Sequence, residues 1–261
     1  MADEMFDRLR QAIAAESPIA LATVVEGPGV GAKLLVEPDR DPQGSLGNAD
    51  LDRVVLRDVI GELAAGTTGI RHYGPNGEAR QDEVMVFIES FAPPPQMLIF
   101  GAVDFTAALS RVAKVLGYRV TVCDARPVFA TTQRFPYADE VVVDWPNRFL
   151  DKVGADLGPR DVICVLTHDP KFDVPAVTSA LKTEAGYIGA MGSRRTTEDR
   201  NERLRAEGVA DTQIASIMAP IGLDLGARTP EETAISICGE IIALRSGRRP
   251  PSLRDADGDI H

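Results

Sequence analysis

Gln96–Met–Leu–Ile–Phe100–Gly101 opens the part of the chain that decides the fold. The apolar run predicts a short buried strand, and an amphipathic helix that ends near Gly117 follows it. Further apolar runs occur at 119–123, 140–143, 161–166 and 186–188. Strands that alternate with helices predict an α/β domain with a parallel, doubly wound sheet. Ligands bind such sheets beyond the carboxyl ends of the strands, where site residues are therefore expected.

A run of prolines, Ala92–Pro–Pro–Pro95, precedes this domain. Consecutive prolines favour a stiff, extended spacer, so we expect residues 92–95 to be a linker. Residues 1–91 then form a small α+β domain and residues 96–247 form the α/β domain. Residues 248–261 are charged and contain proline and glycine, which predicts a flexible tail.

The elements expected within residues 1–91 follow from periodicity and turn residues. They are a helix at 5–15, strands at 19–25 and 32–36, a flexible loop at 44–48, a helix at 49–65 and a hairpin formed by 69–73 and 82–91.

Composition narrows the possible partners and compartments. The net charge of -11 argues against nucleic acid or an anionic membrane as the main partner. No apolar stretch approaches membrane-spanning length, and the acidic N-terminus lacks a signal core, so we expect a cytoplasmic protein without membrane insertion. Cys123, Cys164 and Cys238 lie in apolar segments and are expected to be buried thiols. Only three histidines are present, which argues against a zinc site.

The turn after the first strand of the α/β domain is a weak dinucleotide fingerprint. Gly101 matches its first glycine, but Val103 stands where a glycine normally lets the backbone approach pyrophosphate. Asp104 adds a negative charge where an anion would bind. By itself this turn indicates a structural strand-to-helix connection.

Polar residues follow two further strands. Asp124 has the spacing of an acid that accepts from ribose hydroxyls, and Arg126 could pair with a 2′-phosphate; a helix cap or solvated turn is an equal alternative. Thr167, His168 and Asp169 precede the helix that starts at Pro170, and they are expected to contact a ligand rather than to catalyse a reaction.

A phosphate-binding pattern occupies Gly189–Ala–Met–Gly–Ser–Arg–Arg–Thr196. Two glycines permit a tight turn, and the helix that follows, expected at 197–207, offers free N–H groups and the positive end of its dipole. Ser193 can cap this helix, and Arg194 and Arg195 add forked donors that suit phosphate. The pattern predicts a phosphate or pyrophosphate site.

Several motifs resemble the XdhC/CoxI family of accessory proteins for xanthine dehydrogenase and related molybdenum hydroxylases. They are Arg126–Pro127, Arg134–Phe–Pro136, Ala138–Asp–Glu140, Thr167–His–Asp–Pro–Lys–Phe–Asp173, Tyr187–Ile–Gly–Ala–Met–Gly–Ser–Arg–Arg–Thr196 and Gly222–Leu–Asp–Leu–Gly–Ala–Arg–Thr–Pro–Glu–Glu232. Ala20–Leu–Ala–Thr–Val–Val25 and Gly44–Ser–Leu–Gly47 resemble the family's N-terminal domain more weakly.

The resemblance implies a C-terminal Rossmann-like domain that binds molybdenum cofactor, which is delivered to an apo-hydroxylase. This cofactor is a pterin that bears a phosphate or, as a dinucleotide, a pyrophosphate. Its anionic group would be held by Gly189, Gly192, Ser193, Arg194 and Arg195. Its ring or ribose would be bound by Thr167, His168, Asp169 and Asp224.

Two positions depart from the family pattern. Its first loop usually reads glycine–alanine–glycine–histidine, where this chain has Gly101–Ala–Val–Asp104. Its N-terminal domain often carries glycine–glycine–cysteine, where this chain has Gly47–Asn–Ala49. A cysteine contact to molybdenum is therefore not expected here. Two alternatives follow: the chain serves a different client, such as a hydroxylase of the carbon monoxide dehydrogenase type, or it holds the pterin without a contact to the metal.

Three functions stay open from the sequence. The first is a carrier and insertion factor for molybdenum cofactor, without turnover. The second is an NAD(P)-dependent oxidoreductase, and the third is a regulatory module that senses a dinucleotide. A homodimer is expected from the base rate for acidic proteins of this size.

Overall fold

The computed structural model describes residues 2–79, 81–167 and 169–247. His168, a predicted site residue, and the predicted tail at 248–261 lie outside these ranges. The chain divides into two compact units, one up to Pro93 and the other from Pro94 onward. Each unit has its own buried apolar clusters.

The first unit is built on an antiparallel sheet. Its elements are α1 (Ala2–Ala14), β1 (Ile19–Glu26), β2 (Lys33–Val36), β3 (Gln43–Ser45), α2 (Ala49–Ala65), β4 (Gly69–Tyr73) and β5 (Val84–Phe91). The strands pair in the order β3-β2-β1-β5-β4. α2 packs on the sheet through Leu51, Val55, Val59 and Leu63, a stripe that its helical spacing predicts.

The loop expected at 44–48 is partly a strand. β3 pairs antiparallel with β2, so that Gly44 lies opposite Leu34. Gly44 has φ +96°, and a Cβ there would lie 2.3 Å from the carbonyl oxygen of Lys33. The segment has no alternating apolar pattern that would predict a strand. It is a strand because its backbone pairs with β2, and not because its own side chains are buried.

The second unit is an α/β domain. Its elements are β6 (Gln96–Phe100), α3 (Asp104–Val115), β7 (Arg119–Cys123), β8 (Glu140–Val142), α4 (Pro146–Val153), β9 (Val162–Val165), α5 (Pro170–Ala180), β10 (Tyr187–Ala190), α6 (Arg194–Ala206), α7 (Asp211–Ser216) and α8 (Pro230–Arg245). The sheet is parallel, in the order β10-β9-β6-β7-β8. The predicted doubly wound parallel sheet is confirmed.

Helices cover both faces of this sheet. Met97 and Ile99 of β6 point to a core that contains residues of α3 and α8. Leu98 and Phe100 point to the opposite core, which contains residues of α4 and α5. Because both faces are buried, β6, β9 and β10 read as continuous apolar runs instead of alternating ones.

The order of the strands reverses between β6 and β9. From β6 the chain moves outward through β7 to β8, then returns to the other side of β6 as β9. Gly101, immediately after β6, has φ +114°, and a Cβ there would lie 2.9 Å from the backbone nitrogen of Thr167. This close approach brings the β6–α3 turn against the carboxyl end of β9, which is where ligands of such sheets bind.

Replacement of Gly101 by alanine is expected to destabilise the second unit. Gly117→Ala is the matched control, because Gly117 also has a positive φ, +82°, but a Cβ there would have nothing within 4 Å. We expect G101A to lower the free energy of unfolding by about 1–3 kcal/mol more than G117A, since only G101A adds a clash to the backbone strain. Urea unfolding measures both, and equal losses would contradict the steric explanation.

Candidate functional site

Two cavities lie at the carboxyl edge of the parallel sheet. The first, here called the arginine cavity, measures about 430 Å³ and is lined by Val103, Arg126, Thr167, Asp169 and Pro170. The second, here called the apolar cavity, measures about 380 Å³ and is lined by residues of the β10–α6 turn and of segment 220–227. Both volumes fall in the range of small-molecule sites.

The β6–α3 turn is poorly suited to an anion. The Ala102 N–H donates to Oδ2 of Asp124 over 2.7 Å and is thereby occupied. α3 starts after Val103, whose side chain makes no capping hydrogen bond, and Asp104 in the first turn has an 89% exposed side chain. A phosphate here would meet a negative charge and one fewer N–H group.

Asp124 and Arg126 form a bidentate ion pair. The Arg126 Nε and Nη2 donate to the two carboxylate oxygens over 2.9 and 2.8 Å, and the Arg126 backbone N–H donates over 2.9 Å. Asp124 is only 3% exposed. Burial raises the pKa of Asp124, but the hydrogen bonds from Arg126 and Ala102 and the charge of Arg126 outweigh it, so the pKa lies below its ordinary value.

This ion pair links the two turns that follow β6 and β7. Asp124 uses both oxygens within the protein, so its carboxylate holds Arg126 and the Ala102 turn in place. The Arg126 guanidinium lies 4.7 Å from the ring centroid of Phe129 and remains partly exposed toward the arginine cavity. Of the predicted pair, Arg126 is thus the residue that lines the cavity.

Thr167 and Asp169 shape the other side of the arginine cavity. The Asp169 N–H donates to Thr167 Oγ1 over 3.3 Å, and the Asp169 carboxylate caps α5 by accepting from the Lys171 N–H over 3.1 Å. Thr167 is buried, while Asp169 lies near Arg126, whose pKa is raised mainly by the hydrogen bonds to Asp124 and further by the charge of Asp169. Both residues reach the cavity through their placement at the end of β9.

Gly189 lies within β10 rather than in the turn. It is buried, and a Cβ there would lie 2.5 Å from Cδ1 of Ile221 and 2.7 Å from Cε1 of Tyr187. The glycine therefore allows Ile221 to pack against the strand. Its predicted contact with a ligand stays a prediction, and the structure gives it a packing reason instead.

The turn itself is formed by Gly192 and Ser193. Gly192 has φ +154°, and a Cβ there would lie 2.5 Å from Thr196 Oγ1. Ser193 caps α6 by accepting from the Thr196 N–H over 3.2 Å, which confirms the predicted cap. α6 therefore begins at Arg194, three residues before the expected start, and Arg195 is exposed in its first turn.

The apolar cavity opens beside this turn. Phe105, Met191, Ile221 and Leu223 contribute apolar walls, and Gly192 and Ser193 are also part of its lining. Asp224 lies at its exposed rim. Of the predicted residues, Gly192, Ser193 and Asp224 thus meet at one cavity, while Arg126, Thr167 and Asp169 meet at the other.

Segment 220–227 is held by two buried polar residues of α8 that the sequence analysis did not identify. Glu240 accepts from the Gly222 N–H over 2.9 Å and from the Tyr187 hydroxyl over 2.6 Å. Ser236 donates to the Leu223 carbonyl over 2.6 Å. Burial and the Glu240 carboxylate raise the pKa of Tyr187, which therefore donates this hydrogen bond as a neutral phenol.

A buried ion pair between α5 and α6 was also missed. Arg200 is 2% exposed, and its Nε donates to both carboxylate oxygens of Asp173 over 2.8 and 2.9 Å. The available signal was spacing: Thr197, Arg200 and Leu204 are the buried positions of an otherwise charged helix, at the period of one helical face.

The described residues contain no group of three or more histidine, cysteine, aspartate or glutamate side chains arranged to hold a metal ion. Asn48, in the Gly47–Asn–Ala49 stretch that departs from the family's glycine–glycine–cysteine pattern, caps α2 by accepting from the Asp50 N–H over 2.8 Å. Its amide group donates to Pro75 and Asn76. In the same described ranges, the helices are too short or too polar to traverse a bilayer.

Family models match most of the chain. Residues 97–241 match the model of the XdhC Rossmann domain, and residues 12–74 match the model of the XdhC and CoxI family. A crystal structure of a xanthine dehydrogenase from Bacillus halodurans aligns with a TM-score of 0.64 at 24% identity, over 92% of this chain and 67% of that chain. At this identity, the likeness concerns the fold alone.

Curated relatives include a protein of Bacillus subtilis (strain 168) that is named as a probable subunit of xanthine dehydrogenase. It is 32% identical over 160 residues, which are 61% of this chain and 46% of that protein. The molybdenum cofactor insertion chaperone PaoD of Escherichia coli (strain K12) is 24% identical over 159 residues, 61% of this chain and 43% of that protein. The chain spans less than half the length of these curated relatives.

Asp124→Asn is expected to destabilise the protein in a pH-dependent manner. Because the pKa of Asp124 is lowered in the folded state, its charge stabilises the fold above the unfolded pKa, about 3.9. This contribution is lost as the pH falls through the folded pKa. We expect D124N to lower the free energy of unfolding by about 1–3 kcal/mol at neutral pH, with a smaller difference below about pH 4.

The exposed Asp104 provides the control, and we expect D104N to stay within about 0.5 kcal/mol of the unmodified protein at either pH. Chemical denaturation at neutral and acid pH measures the three proteins. A D124N difference that does not change with pH would contradict the assignment of the stabilisation to the Asp124 charge.

Proposed function

The chain belongs to the XdhC and CoxI family, and from this we propose that it is an accessory protein that binds molybdenum cofactor. It would deliver the cofactor to an apo-hydroxylase of the xanthine dehydrogenase or carbon monoxide dehydrogenase type. The names of the two curated relatives, one for part of a dehydrogenase and one for a cofactor insertion chaperone, support this class of role. The resemblance found in the sequence motifs is confirmed by the family matches.

One structural feature carries the proposal: the Gly192–Ser193 turn, which caps α6, opens onto the apolar cavity. Molybdenum cofactor combines a flat pterin with a phosphate or pyrophosphate, and it needs an anion site beside a cavity for a ring. A Cβ at Gly192 would lie 2.5 Å from Thr196 Oγ1, so glycine lets the turn pack closely against the start of α6, whose first N–H groups and dipole suit an anion. The residues at this turn therefore fit the anionic group of the cofactor.

Charge at the start of α6 supports the same assignment. The N-terminal end of the helix carries the positive end of the dipole, and Arg194 and Arg195 lie in its first turn. In a chain with net charge -11, an anion needs such a local concentration of positive charge. We infer that Ser193, Arg194 and Arg195 hold the phosphate or pyrophosphate.

The apolar cavity would receive the pterin ring. Met191 and Leu223 would cover its faces, and the exposed Asp224 carboxylate at the rim would accept from ring N–H groups. Arg126, Thr167 and Asp169 in the arginine cavity would bind further polar parts of the ligand. When bound, the cofactor carries the molybdenum centre that the client enzyme uses, and the protein holds it, orients it and limits its contact with water.

The β6–α3 turn favours this proposal over an NAD(P)-dependent oxidoreductase or a dinucleotide sensor. Rossmann domains that bind nicotinamide dinucleotides place the pyrophosphate at this first turn. Here the Ala102 N–H is bonded to Asp124, and Asp104 occupies the helix start. Asp124 is the acid that would accept from the ribose, but both of its carboxylate oxygens already accept hydrogen bonds from Arg126.

We further propose a cytoplasmic location beside the client hydroxylase. Cys123, Cys164 and Cys238 are buried free thiols, as in proteins of reducing compartments.

The double variant Arg194→Ala/Arg195→Ala is expected to weaken cofactor retention at least about tenfold, or about 1.4 kcal/mol. Its control is Arg203→Ala/Arg205→Ala, which removes the same charge from the last turn of the same helix. Each protein is purified from cells that also express the enzymes of molybdenum cofactor biosynthesis, and its pterin content is measured by mass spectrometry. Equal retention by both double variants would refute the anion site, and an unmodified protein without pterin would refute the proposed function.

Nicotinamide nucleotides are expected to bind at least about tenfold more weakly than the pterin cofactor, because the β6–α3 turn offers their pyrophosphate one fewer N–H group and carries the negative charge of Asp104. Calorimetric titration with NADH, NADPH and molybdopterin measures the three affinities. Tight NADH or NADPH binding, or hydride transfer to a small substrate, would favour the oxidoreductase instead.

A further inference from the structure

Arg200 reaches from the second turn of α6 back to the β10–α6 turn. Its Nη2 donates to the carbonyl oxygen of Met191, the residue directly before Gly192. A Cβ on Gly192 would lie 3.3 Å from this same Nη2. The guanidinium therefore packs directly against the turn that the proposed function uses.

The bond to Met191 sets the direction of the next N–H group. In a trans peptide the carbonyl of one residue and the N–H of the following residue point in opposite directions. Because Arg200 holds the Met191 carbonyl on its own, buried side, the Gly192 N–H is directed away from Arg200. Among the described residues, no backbone carbonyl accepts from the Gly192 N–H, and Gly192 lines the apolar cavity.

The orientation matters because the two groups have opposite effects on an anion. A carbonyl oxygen that faced the bound phosphate would repel it, whereas an N–H group donates a hydrogen bond to it. The Met191 N–H is already bonded to Val165 over 2.8 Å, so the strand fixes one side of this residue and Arg200 fixes the other.

Asp173 holds Arg200 in this position. Its carboxylate accepts twice from Nε, which leaves Nη2 for Met191. Asp173 lies in the first turn of α5, the helix capped by Asp169 of the arginine cavity. The ion pair therefore connects the structural elements that carry the two cavities.

Stability alone does not account for a buried arginine here. The Arg200 Nη1 is buried without a hydrogen-bond partner among the described residues, and so is the Thr197 hydroxyl. Desolvation of such groups is unfavourable, and apolar residues that replace a buried ion pair are often neutral or stabilising. The presence of Arg200 at this buried position, despite the cost of desolvation, is explained by its hydrogen bond to the Met191 carbonyl, which orients the turn.

We propose that Arg200 is a positioning residue for anion binding, which turns the Met191 carbonyl inward so that the Gly192 N–H faces a phosphate or pyrophosphate group. The inference rests on the anion site of the proposed function. It adds the chemical reason why this turn, with its buried arginine, accepts an anion.

Inorganic pyrophosphate is the probe, and the full isotope-labelled chain is titrated by NMR while the Gly192 amide signal is followed. In the unmodified protein, pyrophosphate is expected to shift this signal downfield. Arg200→Lys keeps the positive charge, but one ammonium group cannot serve both Asp173 and Met191. We expect R200K to weaken pyrophosphate binding at least about tenfold.

Arg205→Lys is the matched control, because Arg205 is an exposed arginine of the same helix that pairs with Asp211. We expect R205K to bind pyrophosphate within about twofold of the unmodified protein. Thermal unfolding is recorded for all three proteins. A merely structural role would lower the unfolding midpoint of R200K and leave its affinity and its Gly192 shift unchanged, and that result would overturn the proposal.

The titration of the unmodified protein decides the case even where R200K does not fold, since pyrophosphate binding without a response of the Gly192 amide also overturns it. Pterin retention is measured separately. A chain that retains pterin while R200K binds pyrophosphate normally refutes this inference alone, whereas a chain without pterin refutes the proposed function.

Discussion

The absence of a side chain at Gly101 is the constraint on which the carboxyl edge of the parallel sheet, with its two cavities, depends. A Cβ there would lie 2.9 Å from the Thr167 backbone nitrogen, so only glycine lets the β6–α3 turn meet the end of β9. The strands β6 and β9 are neighbours at the point where the strand order reverses. Their close approach fixes the positions of Val103 and Thr167, which line the arginine cavity.

The two strand-to-helix turns of the edge differ in what they offer an anion. At the start of α3, an N–H group is occupied by Asp124 and an exposed Asp104 adds negative charge. At the start of α6, Ser193 caps the helix and arginines fill the first turn. In the proposed function, the anion therefore binds at the last strand-to-helix turn of the sheet instead of the first, the turn that holds pyrophosphate in nicotinamide-binding Rossmann domains.

Buried polar residues hold the segments around the apolar cavity. Glu240 binds the Gly222 backbone and the Tyr187 hydroxyl, and Arg200 binds the Met191 carbonyl. Glu240 lies on α8 and Arg200 on α6, and both helices contribute buried residues to the cores on the two faces of the sheet, so the core fixes the cavity walls. A site held in this way is preorganised, which limits the entropy lost when a ligand binds.

The sequence by itself determined the alternation of strands and helices, the Ser193 cap and the family, because these depend on local periodicity, local hydrogen bonds and ordered motifs. Only the tertiary structure decided that β3 is a strand and that both carboxylate oxygens of Asp124 accept hydrogen bonds from Arg126. It also decided that Gly189 makes room for Ile221 to pack against β10. It also brought Asp173 to Arg200, 27 positions apart in the chain. Pairing, burial and ion-pair partners depend on residues distant in sequence, and no local pattern encodes their distances.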